Sequence, residues 1–281
     1  MFFVAMLVYR LIHLHYCSAS QLYEQTLITT VSMIKKNENW FEEWFDSTYY
    51  HLLYKNRDEH EAELFISNLI AYLNPSKNEI FLDVACGKGR HAIYMNKLGY
   101  KVDAFDLSDN SIAFAKKFEN KQLNFFVNDI RNSLKLNYYD VAFNLFTSFG
   151  YFVDDKDNQQ AIDAIAKSLK KGGRFVLDFM NAKKVIKTLQ PVEEKKIKHI
   201  NFLIEKKVVN NFIVKEISFN DKGKDFKFIE QVKTIFHEDF LAYFEAASLN
   251  IEAVFGDYNL NAFNEDTSDR LILVATKTNN T

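Results

Sequence analysis

The stretch that most constrains the fold runs from Ile80 to Leu107. It begins Ile80-Phe-Leu-Asp-Val-Ala-Cys-Gly-Lys-Gly-Arg-His-Ala92 and ends Tyr100-Lys-Val-Asp-Ala-Phe-Asp-Leu107. A short apolar run leads into the glycines, as in a parallel strand buried on both faces. Gly87 and Gly89 allow a sharp turn and a close approach of backbone to ligand. His91 to Leu98 reads as the following helix, and Gly99 ends it. Val102 to Phe105 is a second strand, closed by Asp106. Strand, glycine turn, helix and strand make half of a nucleotide-binding unit, whose ligand belongs at the carboxyl ends of the strands.

Two ligand classes use such a unit. Gly87-x-Gly89-x-x-Ala92 fits a dinucleotide fingerprint, and Asp106 follows Gly89 by 17 residues (106 − 89), near the spacing of a ribose-binding acid. Asp83, four residues before Gly87, separates the two. A pyrophosphate seeks backbone N–H groups and a helix N-terminus, and a neighbouring carboxylate repels it. S-adenosyl-L-methionine has no phosphate, and an acid at the strand end favours its sulfonium and ammonium cations. Asp83-x-Ala85-Cys86-Gly87-x-Gly89 therefore points to S-adenosyl-L-methionine as the cofactor rather than NAD.

Leu82 to Arg90 resembles the first motif of class I S-adenosylmethionine-dependent methyltransferases, and Asp106 resembles their second-strand acid. The resemblance runs from about Trp40 to Lys277. It extends to bacterial small-molecule methyltransferases, including amino-sugar N-methyltransferases, which add an antiparallel β unit late in the chain. It implies that Asp83, Ala85, Cys86, Gly87 and Gly89 hold the amino-acid end of the cofactor, with Asp106 and Leu107 next to them. It also implies that Asp129 faces the exocyclic amine of adenine, with the backbone of Ile130 beside it. Asn144, Leu145 and Phe146 would border the methionine moiety, and Phe149 and Tyr151 the acceptor.

Composition narrows the classes further. The chain has 281 residues, enough for one large domain or one domain with a small insertion. Apolar residues make up 48% and Pro numbers only 2, so a substantial core and few long linkers are expected. A formal net charge of −2 gives no global electrostatic case for nucleic acid or membrane. Of the two cysteines, Cys17 and Cys86, the second lies in the glycine turn, where a disulfide would obstruct the ligand. The chain thus reads as a reduced, cytoplasmic protein. No spacing of Cys and His suggests a metal site.

The N-terminal extension, residues 1–36, opens with an apolar run from Met1 to Tyr9 and meets its first charge at Arg10, the reverse of a signal peptide; the run is too short to span a bilayer. It is either an added amphipathic helix or not native, with translation starting at Met33. The second is preferred, because Met33-Ile-Lys-Lys-Asn-Glu-Asn-Trp40 resembles the start of related enzymes. Residues 37–181 read as the cofactor-binding domain with a helical lid. The aromatic segment Trp40 to Tyr54 and the amphipathic helix Glu59 to Leu73 form that lid, packed against the first strand. Tyr49, Tyr54 and Tyr151 are the catalytic candidates, since a hydroxyl can reach a polar partner while its ring packs. Arg57 is a candidate for the cofactor's carboxylate.

Beyond Asp106 the pattern continues. Ser108 is an N-cap for a helix over Asn110 to Phe118, and strands are expected at Leu123 to Val127, Tyr139 to Leu145 and Arg174 to Phe179. A helix from Asp157 to Lys171 is expected to stop at Gly172-Gly173. Residues 182–236 form an antiparallel β insertion with strands at Phe202 to Val209, Phe212 to Phe219 and Phe226 to Phe236, and a hairpin turn at Asn220 to Gly223. Between Lys183 and Lys233, 13 Lys stand against 7 acids, a balance of 13 − 7 = +6 that either guards strand edges or binds an acidic substrate. Residues 237–278 supply a closing helix and a hairpin in which the last strand inserts antiparallel. The predicted architecture is α/β: a Rossmann-like doubly wound sheet with a C-terminal antiparallel hairpin, plus a small inserted antiparallel β subdomain.

The predicted function is direct methyl transfer to a small molecule. N-methylation is preferred, because an amine needs only deprotonation and neither His51 nor His237 stands in an obvious base position. An NAD-dependent oxidoreductase, which Asp83 and the closing hairpin oppose, and a non-catalytic S-adenosylmethionine-binding protein are the alternatives. The oligomeric state is open.

Overall fold

The computed structural model describes residues 40–54 and 59–278. Met33, Arg57 and the extension to residue 36 lie outside them. Between residues 80 and 180 lie five strands, joined by helices except between the third and fourth, which a loop connects. They are β1 (Ile80–Val84), β2 (Lys101–Asp106), β3 (Leu123–Val127), β4 (Tyr139–Asn144) and β5 (Leu169–Met180). All pair in parallel, in the order β5-β4-β1-β2-β3. Their residues alternate between two faces, and both faces are apolar. Phe81, Val102, Ala104 and Phe143 pack against α3 (Glu59–Leu73), α4 (Arg90–Lys97) and α5 (Asp109–Ala115). Leu82, Val84 and Leu177 pack on the other face, against α6 (Asp155–Ser168) and α8 (His237–Ala246). Each large side chain so buried contributes about 1.5–3 kcal/mol.

The chain passes from β1 to β2 on one side and later returns to place β4 on the other side of β1. That reversal opens a crevice at the carboxyl ends of β1 and β4, the place where open α/β sheets hold ligands. The sheet closes with β10 (Leu249–Phe255) and β11 (Arg270–Lys277). The last strand slots between β5 and β10, antiparallel to both.

A second sheet is antiparallel throughout: β6 (Val192–Ile197), β7 (Ile200–Val209), β8 (Phe212–Asp221) and β9 (Lys224–Lys233). The β8–β9 turn is the two-residue loop Lys222-Gly223, both with positive φ, the twist that fits a tight hairpin. Its apolar face carries Phe202, Ile204, Ile217 and Phe219, and these bury Trp40, Trp44 and Leu53 of α1 (Trp40–Phe45) and α2 (Thr48–Leu53). The aromatic lid therefore packs on the second sheet, not on the first strand as its sequence suggests. Its aromatic stripe matches the one unpaired apolar face nearby, whereas β1 is already covered on both sides.

Three local readings also change. α6 stops at Ser168, and Gly172 and Gly173 lie inside β5, where its register against β4 shifts. Leu169 is already extended (φ −76, ψ 145), so strand pairing overrides the glycines as a helix stop. The charged strand Val192–Ile197 and the short helix α7 (Ala182–Lys187) carry no periodic apolar signal and were not expected. The lysine excess is partly offset, since Lys183, Lys184 and Lys233 pair with Glu265, Asp269 and Asp155 outside the segment, whereas Lys206, Lys215 and Lys227 pair with acids already counted within it. Among the described residues no helix is long and apolar enough to cross a membrane.

Candidate active site

A cavity of about 440 Å3 lies at the crevice between β1 and β4, roofed by α1 and α2. Its floor is the glycine turn. Ala85, Gly87 and Gly89 all take positive φ (55, 56 and 83°), which curls the backbone into a concave loop between β1 and α4. The turn is tied to the sheet by Cys86 N–H donating to Phe105 O (2.9 Å) and to the helix by Ile93 N–H donating to Gly89 O (2.8 Å). Gly89 lies behind the cavity wall: a Cβ there would stand 2.5 Å from the Phe125 ring. Gly87 lines the cavity, and among the described residues beyond its chain neighbours no atom lies within 4 Å of where its Cβ would be.

Two carboxylates meet this turn. Asp83, 1% exposed, accepts the Ala92 N–H at 3.0 Å and so braces the first turn of α4 while facing the cavity. Burial pushes its carboxyl up to about 7, and the nearby Asp106 adds to the rise. Asp106 accepts Gly87 N–H through one oxygen (2.8 Å) and Ser108 N–H through the other (2.9 Å). Burial raises it too, against the pull of these backbone donors. Cys86 is a free thiol, pushed well up by burial and by both carboxylates.

The remaining walls come from the ends of β3 and β4. Asp129 and Ile130 line the cavity, but both Asp129 oxygens are held by Arg131 in a fork (3.0 Å from Nε, 2.6 Å from the terminal nitrogen). Burial would raise Asp129, and Arg131 overcomes it to hold the carboxyl below its usual range. After β4, Phe146 and Thr147 are both left-handed (φ 59 and 61°), a costly backbone for side chains with a Cβ. Asp178, fully buried on β5, holds them there: it accepts Phe146 N–H at 2.7 Å and pairs with Arg270 at 2.7 Å. Arg270 also donates to the Thr147 hydroxyl at 2.9 Å. The Phe146 ring is thereby presented to the cavity, with His91 stacked on it and the Arg90 guanidinium 4.2 Å from its centre.

The lid contributes Phe41, Phe45, Tyr50, His51 and Tyr54. Asp46, between the two helices, accepts from Ser108 Oγ at 2.6 Å and from Asn110, latching the lid to the loop that carries Asp106. Tyr54 donates to buried Glu230 (2.8 Å), which also accepts from Trp44 Nε1 (3.2 Å) and Lys215 (2.5 Å). Burial would raise Glu230, but Lys215 and these donors hold it low. Tyr151 donates to Thr147 O at 2.5 Å.

Most residues singled out in the sequence meet at this cavity: Asp83, Ala85, Cys86, Gly87, Asp106, Leu107, Asp129, Ile130, Leu145, Phe149, Tyr151 and Tyr54. Three do not line it. Tyr49 points the other way, donating to Asp221 (2.9 Å) with its ring on Phe219 and Phe226, because it sits on the face of α2 turned to the second sheet. Asn144, fully buried, braces the wall from behind by donating to Val84 O and Ser148 O (3.2 and 3.1 Å). Gly89 is the third. His237 is remote, packed on Phe263. Sequence reasoning missed Lys88, Arg90 and His91 as cavity residues, although all three fall within two positions of Gly89. The adjacency was the available signal.

Comparison with known proteins accords with this geometry. Residues 81–173 match a family model described as a methyltransferase domain. A segment of 95 residues is 30% identical to the probable S-adenosyl-L-methionine-dependent methyltransferase TehB of Haemophilus influenzae; it spans 32% of this chain and only 30% of that relative's length. In fold, the chain is similar to an S-adenosylmethionine-dependent methyltransferase from Clostridium acetobutylicum (TM-score 0.71, 22% identity, 82% of this chain and 96% of that one). It is also similar to the sugar N-methyltransferase KedS8 of a Streptoalloteichus species (TM-score 0.65, 19% identity, 82% and 93%).

Proposed function

We propose that this chain, whose residues 81–173 match a methyltransferase domain, is a class I S-adenosylmethionine-dependent methyltransferase that transfers the methyl group of S-adenosyl-L-methionine to a small-molecule acceptor, an amine in preference to a hydroxyl. The observation that carries this is the pair of buried carboxylates, Asp83 and Asp106, set against a concave glycine turn at one end of an aromatic cavity. A sulfonium, an ammonium and ribose hydroxyls suit that donor set; a pyrophosphate does not. Gly87, whose Cβ position meets none of the described residues beyond its chain neighbours, leaves room for the ligand against the backbone.

When bound, the cofactor supplies an electrophilic methyl on a cationic sulfur, with a neutral thioether as leaving group. The residues of this chain orient and desolvate the partners, which is the larger part of such catalysis. Asp83 and the turn would hold the amino-acid end, and Asp106 with Leu107 the ribose. Ile130 would flank adenine, with Asp129 turned to its amine if it exchanges one Arg131 contact. Phe146, Phe149 and Tyr151 would form the aromatic wall beside the acceptor, where rings tolerate a dispersing positive charge. Tyr50 and Tyr54 are the lid tyrosines that line the cavity; the Tyr54 hydroxyl donates to Glu230 and lies 3.4 Å from the Lys215 ammonium, which fix it on the cavity wall. The preference for an amine is supported by the sugar N-methyltransferase likeness in fold. The free Cys86 thiol in the turn accords with work in the cytoplasm.

The test is binding followed by transfer. S-adenosylhomocysteine should raise the melting temperature and NADH should not. Asp83→Ala and Gly87→Val should each lose calorimetrically detectable S-adenosylhomocysteine binding. Radiolabelled methyl should then pass to an amine-bearing fraction of a metabolite pool. Retained micromolar affinity in both variants defeats the cofactor assignment, and label appearing only in hydroxyl acceptors defeats the amine preference.

A further inference from the structure

The cavity carries a second charged feature that the cofactor reading does not use. Lys88, at the tip of the glycine turn, and His51, on α2 of the lid, both line it and both are half-buried. Both face the same cavity, and the Lys88 charge, after burial itself, lowers the His51 imidazole; Asp46 opposes this more weakly. Burial also lowers Lys88. Among the described residues neither the Lys88 ammonium nor the His51 ring has a hydrogen bond or an ion pair. Their polar ends meet only rings: Lys88 lies 5.2 Å from the centre of Phe114, and His51 meets Tyr50 edge-on at 5.4 Å.

The surrounding acids are all otherwise engaged. Asp46 is held by Ser108 and Asn110, Asp83 by Ala92, Asp106 by Gly87 and Ser108, and Asp129 by Arg131. Tyr54 gives its proton to Glu230. Two basic groups thus share a partly desolvated cavity in which Asp46, Asp83, Asp106 and Asp129 already accept from other groups. An oxyanion placed there would restore the charge of both groups and accept hydrogen bonds from both.

We propose that Lys88 and His51 form a subsite for a phosphoryl or carboxylate group of the methyl acceptor. The proposal rests on the methyltransferase reading, and it specifies the acceptor as an anionic small molecule. The cofactor's own carboxylate is the other source of an oxyanion in this cavity. It is disfavoured by position. Lys88 leans on Phe114 of α5, the helix that follows Asp106, while Arg90 supplies a separate cation over Phe146 on the β4 side.

Inorganic pyrophosphate and acetate are the probes, titrated into protein saturated with S-adenosylhomocysteine. Calorimetry should detect pyrophosphate binding in the submillimolar range, and acetate more weakly. The His51 proton resonance, identified by its loss in His51→Gln, should titrate at higher pH once pyrophosphate is bound. Lys88→Met should weaken pyrophosphate about tenfold or more and leave S-adenosylhomocysteine affinity unchanged. No binding of either anion at about 10 mM overturns the subsite. So does a Lys88→Met variant that loses S-adenosylhomocysteine but keeps 5′-methylthioadenosine, which lacks the amino-acid portion, since the oxyanion would then be the cofactor's carboxylate. If S-adenosylhomocysteine itself fails to bind the wild-type protein, the parent reading falls and the subsite with it. The wild-type titration does not depend on either variant folding.

Discussion

At neutral pH the Asp83 carboxyl stands near the midpoint of its titration, because burial moves it from 3.8 to about 7. The unfolded chain gives up this proton near 3.8, whereas the folded chain keeps it until about 7. Between those values the folded state binds more protons, so its stability is greatest below the lower one and falls as pH rises to the upper, by about 4 kcal/mol in all. Asp83→Asn keeps an acceptor for Ala92 N–H and cannot ionise. Urea unfolding at pH 5 and pH 8 should therefore show a smaller loss in this variant than in the wild type. A cationic ligand end beside Asp83 favours the ionised form, so S-adenosylhomocysteine affinity should rise between pH 6 and 8, and Asp83→Asn should flatten that rise in calorimetry. Asp83 and Asp106 were legible in the sequence because a strand end fixes where its last side chain lies. Tyr49 was not, because a six-residue helix has two aromatic faces and only the tertiary partner decides which one meets the cavity. Asn144 fell to the same ambiguity: one step along a strand exchanges the faces.

Helices and strands set the shape of the turn at which these residues meet. Gly89 combines a φ of 83° with the Phe125 ring 2.5 Å from any Cβ. Gly89→Ala should destabilise the fold by about 2–4 kcal/mol through strain and overcrowding, read as a lower urea midpoint at unchanged slope. The loop after β4 depends instead on β5 and β11. Arg270→Met leaves Asp178 buried without its cation and should cost about 3–5 kcal/mol. It also frees Phe146 and Thr147 from their left-handed backbone, so S-adenosylhomocysteine affinity should fall with stability; a variant that keeps full affinity would show that Asp178 alone sets the loop. The five parallel strands were legible from their apolar runs, and the β8–β9 hairpin from Asn220 to Gly223. β6 was not, because an edge strand exposed on both sides can be written in charge, and Val192-Glu-Glu-Lys-Lys-Ile197 is. The end of α6 was misread because glycine is a stop signal for a helix and equally a bulge signal inside a strand.

Across the whole molecule the cavity is a joint product of two sheets. The first supplies its floor and walls, and the second holds the lid through Trp44, Tyr54 and Glu230. Trp44, 1% exposed, anchors that arrangement. Trp44→Ala should cost about 3–5 kcal/mol, and hydrogen exchange should quicken across residues 40–54 while β1, β2 and β4 keep their protection. Loss of protection spread evenly over both sheets would argue against a separately held lid. The position of β11 bears on synthesis. It pairs with β5, yet it leaves the ribosome 90 residues later (270 − 180), a delay of about 5–20 s at ordinary elongation rates. Throughout that interval the β5 edge, with Phe175, Leu177 and Phe179, has no partner on its outer side. Arg270, which completes the Asp178 pair, arrives on the same late strand. A nascent chain that has not yet reached β11 therefore has the glycine turn but neither a sealed sheet nor a set acceptor loop, and its β5 edge stays open to pairing with other chains.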